Sequence, residues 1–330
     1  MNQESRTEQK DITAHMTDID DCLLCTSTSS SSITAKNSVF GETFNIALCD
    51  ECELYYFAKQ PSKEFLDAFY TKKYFSKLEK KKVISLLKSR FATMRASSQY
   101  AYIQNHLSTA EGNSILEIGS ADGTFLSLFK KNGWHIKGIE LNDYMIKKAR
   151  EKYNIVLEKI HILDVDPEES SFDVISLSHV LEHMPDPVTI LTHCKKLLKP
   201  SGLIFIELPY SPLSGDTTQE KLSEYLDTTH LFNFRPKSMT KLITKSRLEL
   251  ISIDRFFYTF PVVFKKSSEF VGKTLMTGQL YSVNPVNLLA LFISILQMNI
   301  NFQLKFDPMK KISLETQWQG LGDNLRVIAG

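Results

Sequence analysis

From residue 114 onward, short runs rich in Ile, Leu, Val and Phe alternate with longer stretches whose apolar residues recur at three- and four-residue spacing. SILEIG predicts a strand, 123–132 a helix, WHIKGIE a strand and 142–153 a helix. KIHILDV and FDVISLS then predict strands, the stretch through LTHCKKLL a helix, and GLIFIEL a strand. Strands alternating with helices of that length imply an α/β fold with a parallel sheet covered on both faces. Its ligands belong outside the carboxyl ends of the strands, near the point where strand order reverses. LELISIDRFFYTFPVVF reads as a further strand, and after about sixty residues DNLRVIA reads as another. So long an intervening segment is no structureless loop in a compact domain. It holds an apolar helix candidate from Pro285 to Met298, suited to a substrate lid or a homodimer contact.

Upstream, residues 57–111 carry aromatic and aliphatic residues at helical spacing, with Ser62 the expected cap after Pro61. Nine Lys or Arg and one acid, Glu79, lie between Lys72 and Arg95. That run reads first as a solvated helix face and second as a grip for a phosphate or nucleotide group. A helical segment placed there can fold over a cofactor and shape a substrate pocket.

Four of the five cysteines form two C-x-x-C pairs, Cys22 with Cys25 and Cys49 with Cys52, separated by 23 residues. Two such knuckles can present four thiolates tetrahedrally to one Zn2+, and metal ligation would supply folding energy that so polar a segment lacks. A redox pair and unmetallated cysteines are the alternatives. Four thiolates fill the coordination shell, so the metal would be structural. Cys194, in a helical stretch, reads as a buried thiol.

A chain of 330 residues with 42% hydrophobic content can build a substantial core, which excludes overall disorder. Lys plus Arg is 39 against 38 for Asp plus Glu, a net charge of +1 that gives no global attraction to nucleic acid. Lys36 is the only basic residue between the cysteine pairs, so nucleic acid is not an expected partner. The first twenty residues are polar and acidic and make no secretory signal, and the apolar run Leu288–Leu296 is too short to span a bilayer. A cytoplasmic location and no transmembrane segment are the expectation.

The chemistry is concentrated after the first core strand, in Glu117-Ile118-Gly119-Ser120-Ala121-Asp122-Gly123-Thr124. Gly119 and Gly123 permit a tight turn with close approach of backbone to ligand, and the helix opening there offers unpaired N–H groups. Glu140 ends the next strand, where a carboxylate can take both ribose hydroxyls of a nucleoside. A dinucleotide fingerprint fits poorly, because its positions are Gly119, Ala121 and Thr124. A P-loop fits worse, since its lysine is missing.

The run E-I-G-S-A-D-G-T followed by G-I-E resembles the first two signatures of class I S-adenosylmethionine-dependent methyltransferases. SFDVISLSHVLEHMPDPVTILTHCKKLLKPSGLIFIELP resembles the family's fourth- and fifth-strand signatures. The likeness covers about 112–250, with Ala121 replacing the usual middle glycine. It implies a seven-stranded Rossmann-like sheet whose last strand, DNLRVIA, pairs antiparallel. It also implies S-adenosylmethionine as cofactor. By match, Glu117, Gly119 and Gly123 with Ser120 and Ala121 hold its methionine part, Glu140 with Leu141 its ribose, and Asp164 and Val165 its adenine, Ser178 completing the cofactor set. The cysteine module, with ECELYYFAKQPS and YTKKYF after it, resembles the amino-terminal parts of zinc-containing bacterial methyltransferases that modify nucleotide-linked sugars. That implies a small-molecule acceptor, a sugar or nucleotide-linked sugar. The expected organisation is a polar tail 1–18, a zinc-ribbon module 19–56, a helical linker or cap 57–111, a methyltransferase core 112–260, an insertion 261–321 and a last core strand 322–330.

A hydroxyl acceptor needs a group to take its proton near the transition state. His179, in His179-Val180-Leu181-Glu182-His183, is a candidate base or substrate contact, with pocket wall or plain structural histidine as alternatives. The same order matches a metalloprotease string, but here it follows a strand and is stopped by Pro185 and Pro187. His230 is either a base or substrate contact, or a loop-holding residue. Glu207 ends an apolar strand and is either solvated or aimed at the site, and Arg235 could pair with it or with a substrate phosphate. An RNA methyltransferase gripping through the ribbon and basic helix, and a non-catalytic scaffold, are the competing functions.

Overall fold

The computed structural model describes residues 16–27, 30–36, 43–62, 66, 82–107, 113–168, 171–210, 230–258, 309–312 and 323–330. The basic run before Lys82, the apolar helix candidate of the insertion and most of the helix expected after Ser62 lie outside the described residues. The amino-terminal strands are β1 (Met16–Asp18), β2 (Ser30–Lys36), β3 (Thr43–Cys49), β4 (Tyr55–Phe57) and β5 (Lys59–Pro61). Helix α1 (Lys82–Gln104) leads into the core. There follow β6 (Ser114–Ile118), α2 (Thr124–Lys131), β7 (His135–Ile139), α3 (Asp143–Tyr153), β8 (Phe172–Ser178), α4 (Pro187–Leu197) and β9 (Leu198–Pro209). The last elements are β10 (Phe232–Asn233), α5 (Pro236–Lys245), β11 (Leu250–Tyr258), β12 (Met309–Ile312) and β13 (Asp323–Ala329).

Among the described residues the central sheet has seven strands, in the order β12-β11-β13-β9-β8-β6-β7. β7, β6, β8 and β9 run parallel, and β13, β11 and β12 extend the sheet antiparallel. β6 has β7 on one side and β8 on the other, so strand order reverses there and the crevice past its carboxyl end is the ligand position of such sheets.

Alternation along each strand sorts the core into two faces. Leu116, Ile118, Ile175, Leu177, Ile204, Ile206, Leu325 and Val327 join one cluster, with α4 and α5. Ile115, Val174, Leu203, Phe205 and Ile328 join the other, with α1, α2 and α3. Burial on both faces explains why these strands read as continuous apolar runs.

Two expectations differ from the observed fold. KIHILDV forms no strand: a single parallel bridge links Ile139 to Glu158, and Ile162–Asp164 closes as a 3-10 turn. The His161 ring nitrogen accepts from the Leu163 amide, and His193 Nε2 holds the Val165 carbonyl at 2.9 Å. The seventh strand is instead β12, at the opposite edge, from within the expected insertion. Nor does the cysteine module stop at residue 56. β1 pairs with β5 through Pro61, and β10, from far along the chain, joins β4, β3 and β2 in one sheet.

Candidate functional site

The bend after β6 is as tight as its sequence implies. Gly119, Ala121 and Gly123 have φ of 71°, 45° and 73°, so even the alanine takes the left-handed region. The Gly119 and Ser120 amides both donate to the Ile139 carbonyl of β7. A Cβ on Gly119 would lie 2.5 Å from Val180 Cγ2, so this glycine lets the β8 loop press against the bend. Gly138, not singled out from the sequence, is as crowded: a Cβ there would meet Leu126 and Leu157 at 2.5 Å.

Glu140 lies against that bend. Its Oε2 accepts from the Ala121 amide at 2.9 Å and its Oε1 from the Asn142 amide at 2.9 Å. Burial nonetheless raises its pKa above the ordinary carboxylate value, opposed by those backbone amides. Glu117 is buried, and its Oε2 has no hydrogen-bond partner among the described residues. Burial pushes its pKa well up, and the nearby Asp122 and Glu140 carboxylates add to the rise. A buried carboxylate oxygen without a donor is costly unless a ligand completes it. The ammonium of an S-adenosylmethionine would do so, and the residues therefore fit that cofactor. Leu141 follows Glu140 at the start of the next turn, Asp164 is exposed on the 3-10 turn and Val165 is buried beneath it.

A second cluster follows β8. His179 has φ of 55°, and its amide donates to the Glu207 carbonyl at 2.7 Å. Its Nδ1 lies 3.6 Å from Glu182 Oε1 and its Nε2 3.5 Å from Glu207 Oε1. His183 Nε2 and His230 Nε2 each lie 3.9 Å from the same Glu182 oxygen. Glu182 is buried, and neither of its oxygens has a hydrogen bond among the described residues. Burial alone would raise its pKa, but the histidines outweigh that, His179 first, and bring it down to about 2. Burial likewise lowers His179, but Glu182 and Glu207 reverse the balance and raise it above the ordinary histidine value. His230 goes the other way: burial lowers it, with only partial compensation from Glu182. Glu182, His183 and His230 each offer one ligand atom, all within 4.8 Å of one another, a set that could hold a cation.

Glu207 is not solvated. Its Oε2 accepts from Arg326 Nε of β13 at 2.5 Å, and its Oε1 from Gln99 Nε2 of α1 at 2.8 Å. Gln99 also donates to Ser178 Oγ at 2.8 Å, and Arg326 to Ser98 Oγ at 3.0 Å. The Arg326 charge holds Glu207 well below the usual carboxylate range despite burial. Arg235 pairs elsewhere, with Glu53 of the cysteine module at 3.8 Å. Sequence reading missed Gln99 and Arg326, although a lone arginine inside the apolar strand LRVIA was a signal of a buried partner. It also missed Arg95, whose charge acts on Glu117, His179 and Glu207 together.

The four paired cysteines come together. Their sulfurs lie within 4.8 Å of one another, Cys22 and Cys52 at 3.6 Å, and tetrahedral Zn–S bonds of about 2.3 Å would space sulfurs about 3.8 Å apart. The knuckles match: Thr26 and Glu53 follow them at φ of 55° and 62°, and their amides donate to Cys22 and Cys49 carbonyls. The hydrogen bond between Cys22 and Cys52 lowers the Cys22 thiol and raises that of Cys52, and burial raises Cys25, so without an ion the cluster shares its charge unevenly. This donor set fits a metal such as Zn2+. Cys194 is buried on α4.

Among the described residues no helix is long and apolar enough to cross a membrane. A ubiquinone biosynthesis O-methyltransferase of Idiomarina loihiensis is 31% identical over 114 residues, 32% of this chain and 45% of that protein. One of Coxiella burnetii is 27% identical over 147 residues, 41% of this chain and 58% of that protein. The chain thus spans about half the length of these curated relatives. A solved methyltransferase of Archaeoglobus fulgidus aligns over 72% of this chain and 93% of its own, at 18% identity and a TM-score of 0.44. The family model of the methyltransferase domain matches residues 89–253, half of the chain, from α1 through the bend and the histidine cluster into β11. The chain therefore belongs to the methyltransferase-domain family.

Proposed function

We propose that the chain transfers a methyl group to a hydroxyl of a small molecule, a sugar or nucleotide-linked sugar, with His230 taking the hydroxyl proton. The contact of Gly119 with Val180 carries this reading, because it sets the histidine cluster directly beside the cofactor bend. When bound, S-adenosylmethionine supplies an electrophilic methyl on a sulfonium. Glu117 would accept its ammonium, Arg95, whose charge acts on Glu117, would meet its carboxylate, Glu140 would accept from the ribose hydroxyls, and Asp164 and Val165 would flank adenine. His179, drawn toward its charged form by Glu182 and Glu207, serves as a fixed donor and is a poor base. His230, held toward its neutral form by burial, is the better one. The names of the curated relatives support oxygen as the methylated atom, and the resemblance of the cysteine module supports the sugar.

A second reading follows from the unbonded oxygens of Glu182. A divalent cation held by Glu182, His183 and His230 would lower the pKa of an acceptor hydroxyl beside it. Chelation, reloading of the cysteine site with one equivalent of Zn2+ and then addition of Mg2+ or Mn2+ separates the two, since only this reading needs a second cation at that cluster.

The test supplies labelled S-adenosylmethionine with nucleotide-sugars, catechols and small RNAs, and identifies the product. Label on a sugar oxygen is expected, while label on RNA or on nitrogen would overturn the assignment. His230→Gln should lower kcat by about 10²- to 10⁴-fold with cofactor affinity preserved; unchanged turnover would remove His230 as the base.

A further inference from the structure

We infer that the cysteine module is a positioning element of the acceptor site: its metal-loaded fold fixes the strand that follows His230. This rests on the proposed place of His230 in the site, but reads a different property.

The connection is short and made of backbone. Cys49 lies at the end of β3, and its amide donates to the Leu54 carbonyl at 2.9 Å, closing the second knuckle directly onto β4. β4 pairs with β3 on one side, Tyr55 opposite Leu48 and Tyr56 opposite Ala47. On its other side it pairs with β10, Phe232 opposite Tyr56 and Asn233 opposite Tyr55. The Phe57 amide donates to the Leu231 carbonyl at 3.2 Å, and the Leu231 amide donates to the Glu182 carbonyl at 2.8 Å. Leu231 is thus bonded at once to the module and to the residue whose carboxylate faces three histidines, and His230 is its neighbour.

Packing follows the same route. One apolar cluster runs from Cys22, Cys49 and Cys52 through Leu54 and Tyr56 to Leu231 and Phe232, and on to the central sheet. Charges hold the outside: Lys241 meets Glu51 at 3.0 Å, and Lys245 donates to the Leu23 carbonyl at 2.7 Å. Exposed contacts of this kind add little each, so the shared strand and apolar cluster are the working connection. β4 and β10 are only three and two residues long, too short to persist without a fixed neighbour. Four thiolates around one ion would provide that fixity by making the knuckle at Cys49 and Cys52 rigid. The cofactor bend shares that apolar cluster through Leu116, Ile118 and Ile139 of β6 and β7, but none of the backbone bonds above reaches it.

The test is amide hydrogen exchange on the full chain, zinc-loaded and after zinc removal by a chelator, with cofactor affinity measured on both. Without zinc, the Phe57 and Leu231 amides should exchange at least about tenfold faster, while β6 and β8 amides and cofactor affinity change less than about twofold. Unchanged exchange at Phe57 and Leu231 would overturn the inference. So would loss of protection throughout the central sheet, which would make the module a general stabiliser, and so would a protein that takes up no zinc on titration. The Cys49→Ser variant, read the same way, must reproduce the zinc-free pattern. None of these readouts depends on turnover, so a failure of the proposed base leaves them interpretable.

Discussion

The cofactor half of the site and the acceptor half are built from different material. The first uses backbone from one βαβ stretch: the left-handed bend at Gly119, Ala121 and Gly123, tied to Ile139 and Glu140 within about twenty residues. The second uses side chains from across the chain, with Glu207 bound to Gln99 and Arg326, and Glu182 facing His179, His183 and His230. A backbone site tolerates side-chain change but no change of chain path. A side-chain site depends on partners that any one substitution strands.

The largest effect should come from cutting that long-range network. Glu207→Gln leaves the fully buried Arg326 without its counter-charge, and breaking a buried pair on one side costs about 3–5 kcal/mol. Urea unfolding should show that loss, because the same carboxylate joins β9 to β13 and to α1. If stability were unchanged while turnover vanished, Glu207 would be a reacting group and the contrast between the halves would fail on the acceptor side.

Next in size is a change to the bend. Gly119→Ala puts a Cβ 2.5 Å from Val180 Cγ2 at a φ of 71°. Strain of about 1–3 kcal/mol in such a position corresponds to about five- to 150-fold in cofactor affinity, measurable by calorimetry. Since Val180 follows His179, the acceptor side should also move, seen as a raised acceptor KM. An effect on affinity alone would show that the halves are less tightly joined than their contact implies.

The same contrast explains what could be read from the sequence. The bend, its glycines and Glu140 sit in consecutive elements, so spacing alone put them together. The two C-x-x-C pairs were legible for the same reason, their ligand geometry being local to each knuckle. KIHILDV was misread because its apolar residues fit a strand, while the capping by His161 and the His193 bond to Val165 are made by side chains, one of them from α4. The lone arginine in LRVIA signalled a buried partner, but nothing near Arg326 or Gln99 in sequence says which carboxylate that partner is. Their partner is 119 and 108 residues away. β10 was invisible as a strand: two residues carry no period, and pairing with β4 alone makes it one.

The smallest effect distinguishes the two histidines within the acceptor half. Burial lowers the pKa of His230 below the ordinary histidine value of 6.5, so its neutral form persists to more acid pH. Glu182 and Glu207 raise that of His179, so its neutral form needs more alkaline pH. If His230 takes the proton, kcat/KM should fall on the acid side with an apparent pKa below 6.5; if His179 does, the fall should come above it. Stability separates from rate by sign. The stabilisation of charged His179 is present below 6.5 and lost as pH rises through its raised value, while that of Glu182 is present above 4.5 and lost as pH falls through about 2. Between those limits the His179–Glu182 pair holds, while the lowered pKa of His230 makes stability fall as pH drops from 6.5 to that lowered value, a loss that His230→Gln should abolish together with the acid fall in rate. An acid fall in the residual rate that persists in His230→Gln would return His230 to the role of a loop-holding residue.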